Sequence, residues 1–147
     1  VFYDYSFQKR YFDDKDKITL YYALTNSTKR RYNISKIPAY SSSKAAINSF
    51  TRWLSVYMVK EYSINIRVNA ISPGFFIGKQ NRYLLIDKDT GNLTKRGKSI
   101  IENTPMGKFG EPKQLISTVV WLLSDHSDFV TGVLIPVDGG FDAFGGV

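Results

Sequence analysis

The sequence predicts an α/β fold built on a parallel sheet, and three observations predict it. Residues 18–24, ITLYYAL, form a β-branched and aromatic run of the kind found in strands covered on both faces. Residues 39–62 repeat apolar side chains at helical spacing. Two further strand patterns, 64–71 and 130–137, each follow a helix-length segment and lead into glycine corners, Pro73-Gly74 and Asp138-Gly139-Gly140. Strands that alternate with helices need crossovers rather than hairpins, so they lie parallel with the helices on the faces of the sheet.

Composition narrows the function. A chain of 147 residues, 43% of them apolar, suffices for one globular domain. No uncharged apolar run reaches the length of about 18 residues that a membrane span needs, and the opening VFYDYSFQKRYFDDKDK lacks the apolar core of a secretion signal. The absence of cysteine excludes disulfides and thiolate metal sites and fits a cytoplasmic location. The single histidine, His126, reads as a surface residue in a polar turn and cannot build a zinc site. The net charge of +7 is spread along the chain, with one cluster at Lys29-Arg30-Arg31. It reads as solvated surface rather than a nucleic-acid face, and its field favours anionic small molecules.

The elements follow in order. Residues 1–17 mix aromatic and charged residues without a period, allowing at most a short helix at 6–12. The strand 18–24 ends in the turn residues Thr25-Asn26-Ser27-Thr28. Pro38 ends the loop that follows, and in the helix 39–62 Ala45, Ala46, Ile47, Phe50, Leu54, Tyr57 and Met58 form a core-facing stripe opposite Asn48, Arg52 and Lys60. Trp53 belongs either to the core or to an interface. Ser63 breaks the pattern, and 64–71 suits a central strand in which Asn69 is a structural hydrogen-bonding residue. Residues 77–105 are polar and poorly periodic, which suggests a mobile substrate lid holding a short helix at 94–103. Lys79 and Arg82 near its start either pair with a substrate carboxylate, for which a guanidinium is suited, or are solvated loop charges. Pro112 opens a helix at 112–123 with Leu115, Ile116, Val119, Val120, Leu122 and Leu123 on its core face.

One pair carries chemistry. Tyr40 and Lys44 stand one helical turn apart and project from the same face. A phenol titrates near pH 10 and is a poor acid or base at neutrality, but a cation about 4–6 Å away favours the phenolate. About 3–4 kcal/mol of Coulomb energy at an effective dielectric near 20 corresponds to two or three pH units. Such a pair suits proton transfer at a hydroxyl or carbonyl oxygen. Ligands of open α/β sheets bind at the carboxyl ends of strands, which puts a cofactor at Pro73-Gly74.

YSSSKAAI, then RVNAISPGFF, then FVTGVLIPVDGGF resemble, in order, the YxxxK pair, the VNxxxPG strand and the VDGG strand of the classical short-chain dehydrogenase/reductase family. The likeness covers about residues 26–147; residues 1–25 form a divergent segment outside it. It implies the C-terminal portion of a Rossmann-type doubly wound parallel sheet. It also implies Tyr40 as catalytic acid/base, Lys44 as the cation that acidifies Tyr40 and binds the nicotinamide ribose, and Pro73, Gly74 and Phe76 as the nicotinamide pocket of NAD or NADP. Ser27, thirteen residues before Tyr40, matches the family's substrate-polarising serine in spacing, although LTNST departs from the family's usual letters there and also suits a plain turn. Family helices at 40–62 and 112–123 imply a homo-oligomer.

The family's glycine-rich GxxxGxG turn and its NNAG segment, which serve the dinucleotide phosphates, are not among these residues. The chain is therefore expected either to be a fragment of a dehydrogenase or to be a shortened, non-catalytic relative that keeps the oligomerisation helices. On either reading its own NAD(P) binding is weak or absent. Within the family, GFFIGKQNR and GNLTKRGKSIIENTPMGKFGEP resemble the D-mannonate oxidoreductase, or fructuronate reductase, subgroup, which implies a sugar-acid substrate.

Overall fold

The computed structural model describes residues 19–23, by their backbone, and 38–145. The expected helix at 6–12, the cluster at 29–31 and Ser27 lie outside the described residues. In chain order the elements are β1 (Thr19–Ala23), α1 (Pro38–Glu61), β2 (Arg67–Pro73), α2 (Arg82–Leu85), α3 (Lys95–Glu102), a 3₁₀ turn (Pro112–Leu115), α4 (Ile116–Leu123), a second 3₁₀ turn (Asp125–Ser127) and β3 (Leu134–Val137). The strands form one sheet in the order β1-β2-β3, parallel throughout, with Thr19 opposite Arg67 and Pro73 opposite Val137.

The central strand is buried along its whole length. Val68, Ala70 and Ile71 join Ile66, Leu122 and Phe141 in the apolar core. Burying polar side chains on the same strand is costly unless each finds partners. Asn69, 1% exposed, donates from Nδ2 to the Val130 carbonyl at 2.8 Å and accepts from the Val133 amide at 3.2 Å. Arg67 donates to the Leu122 carbonyl at 2.9 Å, to Ser127 Oγ at 3.0 Å and to the Ser124 carbonyl at 3.4 Å. A guanidinium at the C-terminal end of α4 also meets the negative end of the helix dipole. The expectation that Asn69 is structural holds.

Boundaries depart from the sequence reading in ways the backbone explains. The strand pattern expected at 64–71 begins at Arg67, because Ser63 closes a turn: its Oγ accepts from the Asn65 amide and its carbonyl from the Ile66 amide. The last strand, expected from 130, begins at 134, because Gly132 at φ +74° turns the chain while its amide bonds the Val68 carbonyl. The 112–123 helix splits into a 3₁₀ turn and α4.

Two packing expectations are corrected. On α1 the buried residues are Thr51 and Ser55, while Phe50 and Tyr57 of the expected stripe, with Trp53 and Val56, stay exposed. On α4 only Leu122 is buried, and Ile116 and Val120 are 59% and 56% exposed. Apolar periodicity marks a face that wants covering; the strands among the described residues leave much of it uncovered.

Asn69→Ala removes one partner from each of two part-buried backbone groups, the Val130 carbonyl and the Val133 amide. Its urea unfolding midpoint should correspond to a loss of about 2–3 kcal/mol, whereas Asn65→Ala in the exposed turn should unfold like the parent.

Candidate active site

Pro38 starts α1, and its first turns carry Tyr40 and Lys44. The Lys44 ammonium lies over the Tyr40 ring, 5.4 Å from its centroid, within the range of a cation–π contact. Ser43 Oγ donates back to the Tyr40 carbonyl at 2.8 Å. Tyr40 is 36% exposed, so its phenol is reachable from solvent. Lys44 is half-buried, and this desolvation holds its ammonium below the ordinary lysine value. The predicted pair thus meets in space, with the charge seated over the ring face.

The Pro-Gly corner is tightly built. Pro73 ends β2 buried, and the Gly74 amide donates to the Val137 carbonyl at 3.0 Å. A Cβ at Gly74 would stand 2.7 Å from the Asp138 Cα, so only glycine lets the two strand ends close. Beyond it Phe75 meets Phe141 edge-on at 5.0 Å, and Phe76 pairs with Gly110, whose missing side chain leaves room for the Phe76 ring. Phe75, Phe76, Met106, Phe109 and Val137 are among the residues lining a largely apolar cavity of about 390 Å³, with Lys108, Gln114 and Asp138 also in its wall. Pro73 and Gly74 shape this corner without lining that cavity.

The segment from 77 to 109 is more ordered than a loop. Asn81 donates from Nδ2 to the Phe76 carbonyl at 2.7 Å and accepts from the Gly78 amide at 2.8 Å, tying the start of α2 to the corner. Thr94 caps α3 by accepting from the Gly97 amide at 3.0 Å, and its own hydroxyl donates to the Leu84 carbonyl at 2.8 Å. The helix expected at 94–103 is α3; α2, four residues long, was too short to leave a period. A second cavity of about 380 Å³ is lined by Lys79, Arg82, Tyr83, Ile86, Asp87, Lys88 and Gly91.

The structure therefore groups the predicted residues into three clusters: Tyr40 with Lys44, Pro73-Gly74 with Phe76, and Lys79 with Arg82. Neither cavity wall includes Tyr40 or Lys44. Phe75 and Asp138 line the first cavity and Lys88 the second, positions to which the sequence reading gave no role. The available signal for Lys88 was DKDTG at 87–91, an Asp followed by turn residues that folds back toward Arg82.

Comparison with known proteins gives consistent matches. The family model described as enoyl-(acyl carrier protein) reductase matches residues 21–142. The chain is 50% identical over 115 residues to an uncharacterized oxidoreductase, UxuB, of Bacillus subtilis, covering 78% of this chain and 40% of that protein. It is 38% identical over 106 residues to a 2-dehydro-3-deoxy-D-gluconate 5-dehydrogenase of Dickeya dadantii, covering 72% and 38%. The crystal structure of an enzyme from Haemophilus influenza with bound NAD, provisionally named a D-mannonate oxidoreductase, superposes with a TM-score of 0.78 at 45% identity, over 90% of this chain and 46% of that one. The parallel sheet is thus part of a Rossmann-type fold, and the chain spans less than half the length of these relatives. The ordered YxxxK, VNxxxPG and VDGG segments now stand on one parallel sheet and its crossover helix, and with these matches the chain belongs to the short-chain dehydrogenase/reductase family.

Proposed function

We propose that the chain is the C-terminal part of an oxidoreductase that transfers a hydride between NAD(P) and a sugar acid such as D-mannonate. The observation that carries this reading is the Lys44 ammonium 5.4 Å from the Tyr40 ring centroid on an accessible helix turn. In it, Tyr40 passes a proton to or from the reacting oxygen, Lys44 supplies the positive field that makes this phenol acidic, and Ser27 holds the oxygen. Pro73, Gly74 and Phe76 form the wall for the nicotinamide end. That corner suits a flat ring: its backbone is pinned by strand pairing and Phe76 is left half-exposed. The cofactor, when bound, supplies the hydride chemistry. The phosphate-binding glycine turn has no counterpart among these 147 residues. Lys79 and Arg82 receive the substrate carboxylate. The exposed apolar faces of α1 and α4 support assembly with a second copy through the 40–62 and 112–123 helices.

Three measurements test this. In a full-length protein carrying this segment, Tyr40→Phe should lower kcat by about 10²–10⁴ with D-mannonate and NAD(P); unchanged turnover refutes the proton-transfer role. Titration calorimetry of the 147-residue chain with NAD(P) should give a Kd weaker than about 1 μM, that is, less than about 8 kcal/mol of binding. Lys44→Met separates function from stability. Burial lowers the Lys44 pKa, so the folded state holds this proton less tightly than the unfolded chain. Its charge therefore costs stability below the folded pKa, and the cost fades as pH rises toward the unfolded value. Lys44→Met should raise Tm at neutral pH, with the gap to the parent closing at alkaline pH, while abolishing turnover in the full-length protein. A lower Tm at neutral pH contradicts the desolvation account.

A further inference from the structure

The cavity beside α2 has a charge balance the sequence did not reveal. Its wall carries three cations, Lys79, Arg82 and Lys88, and a single carboxylate, Asp87. That carboxylate is already engaged: Oδ1 accepts from the Asp89 amide at 3.1 Å, the Thr90 amide at 2.8 Å and the Thr90 hydroxyl at 2.9 Å. These bonds, the Thr90 amide first among them, hold the Asp87 pKa below the usual carboxylate value, so it stays ionised and bound within its turn. The Gly91 amide bonds back to the Asp87 carbonyl at 3.1 Å and the Asp87 amide to the Asn92 carbonyl at 2.8 Å. Lys88 is thus presented from a braced turn, and the cavity retains an excess of positive charge. Lys79 lies three residues past Phe76, so its Cα is within about 11 Å of the Phe76 Cα even with the chain fully extended.

We infer that Lys88 is a third anion-binding and specificity-determining residue, and that with Lys79 and Arg82 it makes this cavity a site for the carboxylate end of a polyhydroxylated acid. The inference rests on the sugar-acid reading above and extends it. Arg82 offers a planar fork for the two carboxylate oxygens, while Lys79 and Lys88 contribute compact charges. Tyr83 and Asp87 Oδ2, which lies outside the turn bonds, provide polar atoms for neighbouring hydroxyls. A neutral polyol of the same length lacks the group that these cations recognise.

The test is binding to the 147-residue chain without cofactor, which separates it from the proton-transfer reading tested through Tyr40. D-gluconate, its neutral counterpart D-glucitol and inorganic phosphate are each titrated while amide chemical shifts are followed. D-gluconate should bind at millimolar concentration or below, with shifts at 79–91, and at least tenfold more tightly than D-glucitol. Lys88→Ala should weaken gluconate binding about tenfold, the loss of one charge-assisted contact, and Lys88→Arg should restore most of it. Absence of gluconate binding, equal binding of D-glucitol, or no effect of Lys88→Ala in a variant with parental spectra overturns the inference, and the Tyr40 reading survives each of these results. Phosphate binding more tightly than gluconate also overturns it, by making the site one for phosphate dianions.

Discussion

The side chain of Asn69 is the constraint on which the rest of the molecule depends. A central parallel strand presents its edges to two neighbours, and on the β3 side the partner chain is bent by Gly132 and cannot supply a continuous ladder. Asn69 fills that gap with one donor and one acceptor, bonding Val130 and Val133 on either side of the bend. Thr131 Oγ1 adds a bond from the Val68 amide at 3.1 Å. Two residues earlier on the same strand, Arg67 gathers carbonyls at the end of α4. Both side chains are satisfied, so the low dielectric around them strengthens the clasp instead of penalising it. Through it β2 fixes β3, and through β3 the Asp138 backbone against which Gly74 closes the corner.

The outer face of α1 shows the opposite situation. Phe50, Trp53 and Tyr57 stack along the helix at centroid separations of 5.7 and 4.9 Å, and Tyr62 meets Tyr57 edge-on at 5.8 Å. Stacked rings shield one another, yet Trp53 remains 55% exposed and Val56 56%. Contiguous apolar surface of this kind is uncommon on a folded monomer.

Much of this was legible in the sequence, for reasons that differ from residue to residue. The Tyr40–Lys44 encounter follows from helical spacing alone. The role of Asn69 was legible because an amide in a buried strand needs partners. Core and exposed faces of α1 were not, because periodicity reports where apolar residues line up and says nothing of what lies opposite; Thr51 and Ser55 take the inner positions because their hydroxyls bond the Ile47 and Arg52 carbonyls. The starts of β2 and β3 were displaced by a serine hydroxyl and a left-handed glycine, both strictly local devices. Lys88 was overlooked although the turn that presents it is also a local device, drawn by Asp87 Oδ1 around the Asp89 and Thr90 amides within DKDTG.

The Phe76–Gly110 pairing has a consequence for how such a protein diversifies. The Gly110 amide bonds the Phe75 carbonyl at 2.9 Å and the Ile77 amide bonds the Gly110 carbonyl at 3.0 Å, so the whole excursion leaves and re-enters the sheet region at one point. Inside it, Gly97 lets α3 press against the Leu85 carbonyl, which also accepts from the Thr94 amide at 2.9 Å, so α2 and α3 hold each other. Closing a longer or shorter loop between fixed ends costs little extra entropy, about 0.6 kcal/mol per doubling of length. The excursion is in that sense a cassette: its contents can be exchanged across evolution while the scaffold that receives it stays the same.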